Sequence, residues 1–324
     1  MADALPQRST REFLFTLAIF ATVIGSLLLL ALATGWQEML ASVTVLTYWQ
    51  LAILLALSLG NYLLRGLRWL LCNRCIGINV GVFQSLRHYL AGLAMTVTPG
   101  RLGELVRLRW IRQETGFPLQ KTAPLALVDR AADLAAIGLL LAVSLLFGAT
   151  SGAAGLPVAL MALAVAVLVT RSEIAVWGVT LVWRTIGRWP RSFAKLRHAA
   201  RALGPFSRPA IILPALALGM IGWYCEGYSF YLLLHWMGAD IGLWSAVAIF
   251  IISMVTGGAT GAPGGLGGAE AAMVALLSLQ NVPLDVSIPA TAIIRLTTLW
   301  FAIFVGTVVF PMATRMAARG SYAT

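Results

Sequence analysis

The chain has 324 residues, of which 60% are hydrophobic and only 11% charged, and its mean hydropathy is +0.87. A soluble domain carries about 25% charged residues, so the composition excludes a soluble catalytic body and places nearly all the mass in a bilayer. The formal net charge of +11 does not indicate nucleic acid: of the 23 Lys and Arg residues, all but Arg130 and Arg295 lie in the N-terminus, two long loops with their flanking helix ends, and the C-terminus. That is the positive-inside distribution of a polytopic membrane protein.

The apolar runs recur at about 20 residues, the length a helix needs to cross about 30 Å of hydrocarbon. Because backbone groups cannot go unpaired in lipid, a span is a helix or part of a closed barrel, and continuous rather than alternating runs exclude the barrel. The first span runs from Phe13 to Ala33 behind Arg8 and Arg11; its length favours a retained anchor over a cleaved signal peptide. The second runs from Thr47 to Leu71, with Arg65, Arg68 and Arg74 at its end, and the third from Thr122 to Phe147. The fourth covers Gly155–Thr170, the fifth Ala210–Trp236 and the last Ser287–Pro311.

Two segments, 83–112 and 244–279, are broken by Pro and Gly into arms too short for a full crossing, which suits re-entrant hairpins. The expectation is an all-α polytopic membrane protein with about six transmembrane helices plus two re-entrant hairpins, or eight crossings if the arms count as spans. The charge pattern puts both termini on the cytoplasmic side of the inner membrane. Residues 1–45 then form an anchor and outer loop, 46–150 a first repeat, 151–208 a connecting span and basic cytoplasmic loop, and 209–324 a second repeat. In that loop Phe193, Leu196, Ala200 and Leu203 recur at helical spacing opposite Arg191, Lys195, Arg197 and Arg201, a pattern that suits an anionic headgroup layer as well as a solvated loop.

The two breaks look like copies. Pro99-Gly100-Arg101-Leu102-Gly103-Glu104 resembles Pro263-Gly264-Gly265-Leu266-Gly267-Gly268-Ala269-Glu270, and each glutamate precedes an intramembrane arginine, Arg130 or Arg295, at nearly the same spacing. With one hairpin inside and the other outside, the halves are inverted, and interrupted segments at corresponding positions of inverted halves point to a transporter's substrate site. Charges at membrane depth are costly and mark function by default. Arg101, Arg107, Arg130 and Arg295 are therefore candidate contacts for an anionic lipid headgroup, since a guanidinium fork matches phosphate. Glu104, Asp133, Glu226 and Glu270 are candidates for pairing with these cations or gating the path; Arg130 and Asp133 can pair at i, i+3. Glu226 lies mid-span with no basic neighbour on its own helix. Pro99, Gly100, Gly103, Pro263, Gly264, Gly265 and Gly267 form the breaks themselves.

No catalytic motif or P-loop occurs, and His88, His198 and His235 are widely separated. Cys72 and Cys75 read as small residues at a helix end. The expectation is a non-enzyme with no cofactor and no metal.

Together, Asn61-Tyr62-Leu63-Leu64-Arg65-Gly66-Leu67-Arg68-Trp69, Pro99–Glu104, Asp129-Arg130-Ala131-Ala132-Asp133 and Pro263–Glu270 resemble the lysylphosphatidylglycerol synthase transmembrane-region family, the flippase part of the multiple peptide resistance factor. The resemblance runs from about Leu46 to Thr314. It implies movement of a lipid between leaflets. In two-domain relatives a C-terminal synthase makes the aminoacylated lipid; this sequence ends at Thr324, so aminoacyl transfer is not expected of it. The expected partners are membrane lipids (anionic phospholipid, aminoacyl-lipid or isoprenoid-type), with a lipid-synthesising enzyme and a second copy of the chain left open and no nucleic acid. The alternative is a non-transporting accessory protein of a hopanoid, cardiolipin or glycolipid synthesis complex.

Overall fold

The computed structural model describes residues 46–98, 103–148, 171–186 and 204–320, with isolated helical positions between 157 and 201. Among these residues there is no strand. Helices α1 (Tyr48–Cys75), α2 (Val82–Gly92), α3 (Gly103–Thr115) and α4 (Leu119–Phe147) form a first half. A lone helix α5 (Ser172–Ile186) follows. The second half contains α6 (Pro209–Trp236), α7 (Leu243–Ala259), α8 (Gly268–Leu279), α9 (Leu284–Arg295) and α10 (Phe301–Gly320). A π-helical segment, Leu296–Trp300, joins α9 to α10.

Four stretches among the described residues are long and apolar enough to cross a membrane: Tyr48–Cys75, Lys121–Phe147, Pro209–Trp236 and Leu284–Arg319. They match the second, third, fifth and last expected spans, so the chain is an all-α polytopic membrane protein. The first and fourth expected spans fall outside the described residues or nearly so. One reading needs correction. The sequence suggested a loop over 171–208, yet Ser172–Ile186 is helical. Between Glu173 and Arg184 the run is uncharged, and Ile174, Trp177 and Leu181 recur at helical spacing and lie exposed, a pattern that favours a helix over a loop. Most of the basic segment beyond it is outside the described residues.

Local chemistry sets the helix ends. Thr47 caps α1 in a capping box: its backbone N–H donates to Gln50 Oε1 (2.8 Å), and its hydroxyl accepts from the Gln50 N–H (3.4 Å). Pro209 opens α6 at its first turn, where a missing N–H costs nothing. The second break needs glycine, because Gly264, Gly265 and Gly267 all have positive φ (65°, 69° and 77°).

The two halves have the same order: a long helix, a short helix, a break, a short helix and a long helix. Their first helices run antiparallel. Asn61 meets Glu226, Arg68 lies against Gly219, and Cys75 meets the Pro205 carbonyl just before α6 begins. The bases of the two hairpins therefore lie at opposite ends of the bundle. Each hairpin leans on the last long helix of the other half. The α2–α3 hairpin follows α10, from Arg87 against Met316 to Ala94 against Gly306. The α7 arm of the second hairpin follows α4, with the Trp244 ring tilted against Phe147 at 5.7 Å between centroids. Apolar burial drives helix association weakly inside a bilayer, so close packing carries it. Gly306 shows this: a Cβ there would run into the Ala94 backbone nitrogen.

The second break meets the arm that leads into the first. Gly264 faces Val97, and Val97, Leu299 and Ile303 form a small buried apolar cluster with Leu266 and Trp300 against it. The bundle holds two polar regions, one in each half.

Candidate functional site

The larger polar region lies in the first half. Ser58, Asn61, Arg65 and Arg68 follow one another at i, i+3, i+7 and i+10 on α1, so one face of a spanning helix is polar. Arg68 is fully buried. Its Nη2 donates to Asp129 Oδ1 (2.6 Å) and to Asp133 Oδ1 (2.7 Å) of α4, and its Nε to Asp129 Oδ1 (3.1 Å). Arg65 pairs with the other oxygen of Asp133, and Arg130 pairs with Glu104 at the start of α3. Arg107 on α3 stands 3.6 Å from Asp129 Oδ2, with its guanidinium 4.3 Å from the Tyr89 ring centroid and 5.5 Å from that of Trp69. Gly92 makes room for it, since a Cβ there would collide with the Arg107 side chain.

Beside them lies an open cavity whose walls include Arg65, Tyr89, Glu104, Arg107, Asp129 and Arg130. Four guanidiniums (Arg65, Arg68, Arg107 and Arg130) face three carboxylates (Glu104, Asp129 and Asp133). The region thus carries an excess positive charge. Nε and Nη1 of Arg107 are buried without a hydrogen-bond partner. Buried polar groups are normally satisfied, and unmet N–H donors on a cation beside a cavity suit an anion with several oxygens, such as a phosphate.

The second region centres on Arg295. Its Nε donates to Glu270 Oε1 (2.5 Å) and its Nη2 to the Gly264 carbonyl (2.8 Å). One arginine therefore ties the first turn of α8 to the peptide at the break. The π segment starts immediately after it, and the Tyr62 hydroxyl donates to the Thr298 carbonyl within that segment. Such bulges recur at functional sites because they free a carbonyl from the helix ladder. Glu226 lies between the regions, buried, with its Oε1 accepting from Asn61 Nδ2 at 2.6 Å.

At the base of the first hairpin a third set joins the arms. Glu114 accepts from Arg87 (2.5 Å) and Gln84 (2.6 Å), with His88 Nε2 at 3.2 Å. Burial opposes ionisation of Glu114, but the His88 contact, the Gln84 hydrogen bond and the Arg87 charge outweigh it and hold the carboxyl below its ordinary range.

Comparison with known proteins agrees with this architecture. The family model for the lysylphosphatidylglycerol synthase TM region matches residues 14–306, most of the chain. The chain belongs to that family. No curated protein matches it. For this member of the lysylphosphatidylglycerol synthase TM-region family, the structure brings most of the sequence candidates together. Glu104 joins Arg130 and Glu270 joins Arg295, each within its own half, where the matched spacing had left pairing across the halves open as well. Arg107 lines the cavity, Gly103 packs on the Gly92 carbonyl, and Gly264, Gly265 and Gly267 shape the second break, with Pro263 opening it. Pro99, Gly100 and Arg101 lie outside the described residues. Asp133 is drawn across to α1, to Arg65 and Arg68, rather than engaged only along its own helix.

Sequence reasoning missed Arg65 and Arg68 as site residues, because at a helix end they satisfy the positive-inside rule. The signal that could have found them is their register with Ser58 and Asn61. Tyr89 and Trp69, under Arg107, carried no signal, since aromatic residues on an apolar helix read as core.

Proposed function

We propose that this family member moves an amphipathic lipid with an anionic, phosphate-bearing headgroup between the leaflets of the inner membrane. The observation that supports this most is the arginine-rich cavity, with its cation excess and the buried, unbonded Nε and Nη1 of Arg107. The headgroup phosphate enters beside Arg65, Arg107 and Arg130, while its acyl chains stay in lipid. Glu104 and Asp129 hold the arginines in place until the phosphate competes for them. The Arg295–Glu270 pair at the second break plays the equivalent part in the other half, and the apolar contact of Val97 with Gly264 and Leu299 keeps the two sides apart.

In this reading the hairpins are re-entrant, entering from opposite faces. Positive-inside charge puts the first hairpin's base and both termini in the cytoplasm. The chain carries out no covalent chemistry. The test is transbilayer movement of fluorescent lipids in proteoliposomes, with dithionite quenching the outer leaflet. Protein-dependent movement of phosphatidylglycerol or another anionic phospholipid, faster than that of a lipid without a phosphate, supports the proposal. Movement of no anionic, aminoacylated or isoprenoid lipid would favour an accessory role in lipid synthesis.

A further inference from the structure

Glu226 stands apart from the other buried acids. Among the described residues, Glu104, Glu114, Asp129, Asp133 and Glu270 each have an ion pair. Glu226 is as deeply buried, 6% exposed midway along α6, and its one hydrogen bond comes from an uncharged amide, Asn61 Nδ2. The charged and titratable groups facing it come from three helices: Tyr62 and Arg65 of α1, Asp133 of α4 and Arg295 of α9, with Cys225 beside it on α6. α7, the remaining long neighbour, has no titratable residue. Both cations are engaged elsewhere, Arg65 by Asp133 and Arg295 by Glu270. An ionised carboxylate in this position would have one neutral donor to offset its desolvation, which is a poor exchange in a low-dielectric interior. A carboxylic acid in the same place loses far less.

We propose that Glu226 is a proton-binding site that couples lipid movement to the proton gradient. It holds a proton while Arg65 and Arg295 are bound to their own carboxylates. It releases that proton when either arginine turns from its partner towards Glu226 as the polar regions open. The step is Glu226 carboxylic acid to carboxylate plus H⁺, with no other reactant. Its place between the two arginine regions lets one proton travel with one anionic headgroup, which leaves a smaller net charge to cross the bilayer. The coupling rests on the translocation reading, whereas the protonation does not.

Two measurements separate these parts. Infrared spectra of the purified protein in liposomes should show, at neutral pH, a protonated-carboxyl C=O band that disappears in Glu226→Gln. That variant mimics the protonated form and keeps an oxygen to accept from Asn61, so it should fold. In the second, proteoliposomes moving fluorescent phosphatidylglycerol are given a pH gradient and the final transbilayer ratio is read. One coupled proton shifts that ratio by up to about tenfold per pH unit, and a passive path leaves it unchanged. We expect the shift in wild type, its loss in Glu226→Gln with downhill movement retained, and partial recovery in Glu226→Asp. Absence of the band, or a Glu226→Gln variant that still follows the gradient, overturns the proposal. A wild-type protein that moves lipid to a ratio blind to pH overturns the coupling and leaves translocation standing. A wild type that moves no lipid defeats the translocation reading, and the coupling falls with it.

Discussion

At the scale of single residues, burial and pairing distinguish structural from functional charges. Arg68 is fully buried and bonded to two aspartates. Removing it leaves Asp129 and Asp133 undercompensated, so Arg68→Leu should cost about 3–5 kcal/mol and lower the thermal midpoint in detergent sharply. Arg107 differs, since its ion pair with Asp129 is long, at 3.6 Å, and its Nε and Nη1 make no hydrogen bond. Arg107→Gln should therefore leave stability nearly unchanged while weakening retention of anionic phospholipid about tenfold, a change visible by native mass spectrometry. Glu114 gives a pH-dependent case. Its folded pKa is lowered, so its contribution to stability is present above about 4.5, the ordinary glutamate value, and is lost as pH falls through the lower folded value. Wild type should lose thermal stability below that point, and Glu114→Gln should show a flatter profile.

At the scale of elements, the bundle depends on small residues where backbones touch. Gly306 admits the turn at Ala94, and Gly103 admits the Gly92 carbonyl. Neither neighbour is a flexible side-chain end, so Gly306→Val must push the first hairpin off α10. The expected result is a loss of about 1–3 kcal/mol together with slower lipid movement, and an unchanged melting profile would contradict the packing described. Much at this scale was legible in the sequence. Apolar length located the four spans, and Pro263 with its glycines located the second break. The repeated motif offered Glu104 and Glu270 as partners for Arg130 and Arg295, without deciding which glutamate joins which arginine. The π segment after Arg295 was not legible, because Leu296–Trp300 has an ordinary helical composition and the residue that bonds its Thr298 carbonyl, Tyr62, comes from distant α1. Helix α5 was missed because basic residues on both sides made the whole stretch look like a loop.

For the whole molecule, antiparallel pairing of α1 with α6 places two similar halves head to tail, with the second break against Val97 of the first hairpin and a polar region in each half. In the proposed reading that arrangement offers a lipid headgroup four arginines in the first half and Arg295 in the second. A passive scaffold would need the bundle but not the cation excess. Inverted order was readable from the charge of the loops, while the meeting of Val97 with Gly264 was not, since it joins residues far apart in the chain. The most direct test of the account is the initial rate of phosphatidylglycerol movement across proteoliposome bilayers for Arg107→Gln beside Arg315→Gln, a substitution at an exposed position of α10 that is not part of the cavity lining. The account predicts a fall of about tenfold or more for the first and a wild-type rate for the second. Equal rates for Arg107→Gln and wild type, with both proteins folded, would contradict it.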